Sequence, residues 1–148
     1  MHPAFEKIDY RRLNGRQQEA YNFQKISGVL ADYGYLTIRL SDDWGGADFI
    51  AQHISGSFLK VQLKGRLTFN KKYLDRDLYI CFREGKDWFL YPHDAVLAQV
   101  LSVGKLVGTK SWEVDGGYDF PGMSKSHKTM LEPYRLVELT SSAAYKTA

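Results

Sequence analysis

The chain has 148 residues, of which 44% are hydrophobic and 25% charged, and it carries a formal net charge of +3. That length and balance suit one globular domain with a real core and exclude a globally disordered chain. No apolar run approaches the roughly 18 residues of a membrane span, and the lone Cys81 excludes an intramolecular disulfide or a cysteine-based zinc cluster.

The N-terminal stretch M-H-P-A-F-E-K lacks a signal-peptide core, so a cytoplasmic location is expected. Residues 1–13 read as a polar arm with Arg11 and Arg12 adjacent. Asn14 is an N-cap with Gln17 as its capping-box partner, for a helix that runs to about Tyr33 and stops at Gly34. Phe23, Ile26, Leu30 and Tyr33 form its apolar stripe. Four residues before Phe23 stands Glu19, near the helix start and in line with that stripe. A carboxylate there either points along the surface that packs on a sheet or complements the helix dipole.

Residues 35–40 alternate Leu36, Ile38 and Leu40 against Thr37 and Arg39, which predicts a strand. Residues 41–46 read as a turn, with Asp42 and Asp43 as turn formers rather than metal ligands. From Trp44 to Arg66 the pattern is two strands joined at Ser55-Gly56-Ser57. The first carries Asp48. In the second, period two sets Leu59, Val61 and Leu63 on one face and Phe58, Lys60, Gln62 and Lys64 on the other. An amide and an ammonium two residues apart, with a carboxylate on the neighbouring strand, suit divalent-metal phosphodiester chemistry.

Residues 65–77 form a cation-rich connection anchored by Phe69 and Tyr73. Residues 78–82 read as a buried central strand with Cys81 in the core, and residues 88–91 as another strand after a charged turn. Pro92 opens a helix to about Ser102 that buries Val96, Leu97, Val100 and Leu101, with His93 and Asp94 serving capping and local structure. Residues 105–114 suggest one more strand, 116–122 a loop, and 126–131 a helix or turn broken by Pro133. Residues 134–139 are expected to pack on the core and those from Thr140 to fray.

With Glu19 on the first helix, Asp48 on one strand and Gln62-x-Lys64 on the next, residues 14–102 resemble the PD-(D/E)XK nuclease superfamily, in its glutamine variant. In size and residue order the chain is also similar to the homing endonucleases of that superfamily and to its Holliday-junction-resolvase-like members. The resemblance implies an α/β, restriction-endonuclease-like core, a mixed central β-sheet flanked by α-helices. One domain, 1–148, would hold a core of about 14–102, an accessory region of 103–139 and a tail of 140–148.

The activity implied is that of a metal-dependent DNA endonuclease. Asp48 would be the main ligand of Mg²⁺ or Mn²⁺, Gln62 would add a neutral oxygen, and Glu19 would join directly or through water. Lys64 would orient or help deprotonate the attacking water and stabilise the charge building on the phosphorus. Lys60, Arg66, Lys71 and Lys72 would contact flanking phosphates. Sequence preference would come from the Arg11-Arg12 arm or the loop near Tyr118, and a double-strand break would call for a homodimer. Two departures stand out: Gln62 replaces an acid and removes one negative charge, and Ala47 stands where the motif has proline. Competing readings are an edge strand with an ordinary Asp–Lys ion pair, a nucleic-acid-binding module without turnover, and an assembly subunit with an interface at Trp88 and Trp112.

Overall fold

The computed structural model describes residues 5–137, apart from the side chain of Asp43. The expectations for residues 138–139 and for the tail lie outside the described residues. Helix α1 (Gly15–Ala31) starts at its capping signal: Asn14 Oδ1 accepts the Gln17 N–H and Gln17 Oε1 accepts the Asn14 N–H, each at 2.9 Å. It ends at Ala31 rather than at Tyr33, and Gly34 takes φ 83° in the turn beyond. Tyr33 thereby leaves the phase of the stripe. Val29 joins Ile26 and Leu30 in the core instead, while the Tyr33 hydroxyl accepts the Val137 N–H at 2.7 Å.

Strands β1 (Tyr35–Trp44), β2 (Ala47–His53) and β3 (Phe58–Leu63) form an antiparallel meander. The turn expected over residues 41–46 is mostly strand. The β1–β2 register breaks after Arg39 and recovers at Trp44 opposite Ala47, so a bulge absorbs the polar residues. Only Gly45 and Gly46, at φ 62° and 89°, make the reversal.

The facing of β1 does not follow hydrophobicity. Thr37 and Arg39 face α1: the Thr37 hydroxyl donates to Ser27 Oγ at 2.7 Å, and the Arg39 guanidinium lies 5.6 Å from the Phe23 ring centre. Leu36 and Ile38 are 68% and 50% exposed. Tyr35 packs in the α1-side core, and period two then sends Leu36 and Ile38 outward, while Leu40, where the register breaks, packs against the core on the other face of the sheet.

Strand β4 (Leu67–Asn70) and a 3₁₀ turn (Lys71–Tyr73) lie in the connection expected to be only a loop. Leu67, Thr68, Phe69 and Tyr73 are buried there. The chain then enters β5 (Leu78–Glu84), which pairs parallel to β3, and turns into β6 (Asp87–Pro92), antiparallel to β5. Helix α2 (His93–Ser102) follows. Residues 105–114 form no strand. Thr109 Oγ1 accepts the Trp112 N–H and caps the short α3 (Lys110–Glu113), which sinks Trp112 into the core. Within the stretch expected as a loop, β7 (Gly117–Phe120) pairs with β4. Helix α4 (Lys125–Leu131), a 3₁₀ turn holding Pro133, and β8 (Arg135–Leu136) complete the described chain.

The result is an α/β fold with a mixed six-stranded sheet, ordered β1-β2-β3-β5-β6-β8. One core lies between α1 and the sheet. The other lies on the opposite face, where α2 meets β5 and β6 and where Leu106, Trp112 and Leu131 from the later part of the chain are buried. Cys81 is fully buried, and that burial pushes its thiol pKa up and keeps it protonated. Among the described residues no helix is long and apolar enough to cross a membrane.

His93 and Asp94 hold the β3–β5 connection in place. His93 Nε2 accepts the Asn70 N–H at 3.1 Å, so the buried ring is neutral and Nδ1–H donates to Asp94 Oδ1 at 2.8 Å. Burial pulls the His93 pKa down, against a smaller upward pull from Asp94. Asp94 Oδ2 in turn accepts the N–H of Asp75, whose φ is 60°.

Candidate active site

The site begins where the sheet splits. The β2–β3 ladder ends at Phe49 opposite Val61, while β3 stays paired with β5 through Leu63 opposite Cys81. The Lys64 N–H continues that second ladder with a 2.8 Å bond to Cys81 O. The Leu63 N–H points the other way, toward the strand that has peeled off. Asp48 Oδ2 accepts it at 2.8 Å, so the side chain replaces the missing backbone partner. Continuing the β2–β3 register by one residue sets Asp48 opposite Gln62.

Helix α1 covers this split. Phe23 meets Phe49 edge-on at 5.2 Å, and Glu19 stands one turn earlier, toward the helix start. Glu19, Asp48, Gln62 and Lys64 all line one cleft of about 420 Å³, together with Asn22, Arg39 and Leu63. Glu19 and Asp48 are exposed, and Gln62 and Lys64 half-buried. None is sealed beneath packed side chains.

A second groove of about 500 Å³ adjoins it and shares three of its residues. Asp48, Gln62 and Lys64 line it with Lys72, Tyr73 and Arg76. Lys64 Nζ lies 5.8 Å from the Tyr73 ring centre and Lys72 Nζ 5.2 Å from it, so one buried ring braces two ammonium groups. Arg76 was not singled out in the sequence. Its only sequence signal is its place in the cation-rich connection.

The other expected phosphate contacts divide. Lys60 donates to Arg76 O and lies 5.7 Å from the Trp44 ring, beside the groove. Lys71 turns to the Trp112 ring at 5.0 Å, and neither it nor the exposed Arg66 lines the two grooves. Arg11 makes a bidentate pair with Asp9, and Tyr118 packs on Phe120 at 4.7 Å. β3 is interior to the sheet, not an edge. The Trp88 and Trp112 side chains are themselves buried within the chain.

Two carboxylates and one amide oxygen line the cleft, and among the described residues no group of three or more His, Cys, Asp or Glu is assembled. That set fits Mg²⁺ or Mn²⁺, since Mg²⁺ is commonly held by one or two carboxylates and completed by water and substrate phosphate. Asp48, Glu19 and Gln62 would hold it.

Comparison with protein-family models, with curated proteins and with solved structures finds no match.

Proposed function

We propose that the protein is a metal-dependent endonuclease that hydrolyses phosphodiester bonds in DNA, built on a restriction-endonuclease-like core. The observation that carries the reading is the single cleft shared by Glu19 of α1, Asp48 of β2, Gln62 of β3 and Lys64 just past the end of β3. The mixed sheet with helices on both faces supports the fold assignment.

A divalent cation bound by the carboxylates would neutralise the phosphate and supply an acidic water. Lys64 lines the same cleft, where its ammonium would orient the attacking water and offset charge that builds on the phosphoryl oxygens. The Leu63 N–H helps to hold the Asp48 carboxylate in position. Lys72 and Arg76 line the adjoining groove and would take the neighbouring phosphates, with Lys60 beside them. One such centre cuts one strand, so a double-strand break needs two copies.

The test is plasmid nicking in Mg²⁺ or Mn²⁺ by the native chain, Asp48→Asn and Lys64→Ala. Nicking by the native chain that is lost in both variants and in chelator supports the reading. Nicking that survives both substitutions refutes it. A second reading, DNA binding without turnover, draws on the glutamine at position 62, which leaves the site one acid short. It predicts DNA affinity that is indifferent to Mg²⁺ and no nicking at all.

A further inference from the structure

Lys64 lies where three concavities meet. The third, of about 380 Å³, shares Asn22, Leu63, Lys64 and Gly65 with the active-site cleft and extends away from Asp48. Its remaining wall is Tyr10, Tyr21, Arg83, Gly85 and Trp88. That volume falls in the lower part of the roughly 300–1,000 Å³ typical of small-ligand sites. Its chemistry is richer in rings than that of the phosphate groove: Tyr10, Tyr21 and Trp88 with one guanidinium and the shared Lys64, against Tyr73 with Lys64, Lys72 and Arg76.

The wall is built rather than loose. Tyr10 precedes α1 on a short 3₁₀ turn, meets Tyr21 edge-on at 5.2 Å and accepts a 3.0 Å hydrogen bond from Asn22 Nδ2 through its hydroxyl. Its backbone carbonyl takes a further bond from Gln18. Arg83 is exposed and held 5.6 Å from the ring centre of the buried Trp88, which sets its planar head at the trough. A ring already held in place loses little freedom when another ring stacks on it.

Resting on the proposed nuclease reading, we infer that this trough receives an unpaired nucleobase adjacent to the scissile phosphate. The substrate class is therefore DNA with an extruded or single-stranded nucleotide at the cut. Every base has a face that stacks on tyrosine or guanidinium, so the site reads pairing state rather than sequence. A base within a continuous duplex must first be unstacked, while one in a bulge or single strand is already available.

The experiment uses the full chain and three labelled oligonucleotides of matched length: a continuous duplex, the same duplex with one unpaired nucleotide, and a single strand. Binding is read in Ca²⁺, and cleavage in Mg²⁺. The native chain should bind the two unpaired substrates about ten-fold more tightly than the duplex. Tyr10→Ala changes no charge, and Arg83→Lys keeps the charge but loses the plane. Each should cut that preference to about two-fold while duplex affinity holds. A 2-aminopurine at the unpaired position should be quenched on binding by the native chain, and less by the variants. Should Tyr10→Ala melt early, Arg83→Lys alone carries the test. Equal affinity for all three substrates, or equal losses on all three, overturns the inference. Nicking without the preference leaves the nuclease reading and removes the base trough. The preference without nicking leaves the trough and removes turnover.

Discussion

The strand pairs β2–β3 and β5–β6 lie side by side in one sheet, yet the chain covers them differently. In β5, Leu78, Ile80 and Phe82 point into one core and Cys81 into the other; in β6, Phe89 and Tyr91 oppose Trp88 and Leu90 in the same way. Both faces are closed. In β3, Val61 packs under α1 with Leu59 and Leu63 beside it, whereas Lys60 and Gln62 on the reverse face, and Lys64 just past the strand, belong to neither core. One face packs while the other stays wet. A polar group on a doubly covered strand would have to be desolvated, at a cost of roughly 1–3 kcal/mol or more for a charge. On the half-covered pair it remains hydrated and available to a ligand, which is why the candidate site sits there.

Substitutions on the two pairs should therefore separate activity from stability. The largest effect expected is on cleavage. Asp48→Asn keeps an acceptor for the Leu63 N–H and loses the charge, and Lys64→Ala removes the ammonium. Each should lower the nicking rate by about 10²–10³-fold with the melting midpoint within about 2 °C of native. A collapse of melting temperature in either would mean that this face is structural. On the closed pair the pattern should invert. Phe82→Ala deletes a fully buried ring stacked 5.3 Å from Phe89 and should cost about 3–5 kcal/mol in denaturant titration, with the nicking rate per folded molecule retained.

Smaller effects sharpen the contrast. Gln62→Glu restores a carboxylate on the wet face and should lower the Mg²⁺ concentration for half-maximal nicking by roughly ten-fold; an unchanged Mg²⁺ requirement would remove Gln62 from the cation site. His93 tests the covered side by pH. Its folded pKa is held below the ordinary 6.5 by burial, so below that pH the unfolded chain takes up a proton that the folded chain refuses. Stability is full above pH 6.5 and falls as pH drops through it toward the lower folded value. Melting scans from pH 8 to pH 5 should show that decline, and His93→Gln should flatten it. Least of all, Leu36→Thr and Ile38→Thr on the exposed side of β1 should change stability by no more than about 0.5 kcal/mol. A loss several times larger would show that something packs over that face.

Much of the frame was legible because its signals are local. Asn14 with Gln17 announces the start of α1, Ser55-Gly56-Ser57 the hairpin, and the continuous apolar run around Cys81 a strand buried on both faces. The alternation in β3 also separates Gln62 and Lys64 from the residues that pack. What was missed is non-local. β4 and β7 are four residues each, too short to announce themselves, and they form because Leu67–Asn70 meets Gly117–Phe120 across nearly fifty positions of chain. The exposed side of β1 was not legible either, because Leu36 and Ile38 have the apolar character of core residues. Only the register set by Tyr35 under α1 turns them out.

By itself, then, the sequence determined where α1, β3, β5 and β6 lie and which β3 side chains share a face, since capping, turn chemistry and period-two alternation operate over a few residues. Tertiary structure alone decided that β2 leaves β3 after Val61 while β5 does not, so that a cleft opens between Glu19 and Lys64. It alone brought Tyr10 and Arg83 to the same opening. Those outcomes depend on which strands find partners and which faces find cover, and pairing and burial are settled by contacts between distant parts of the chain.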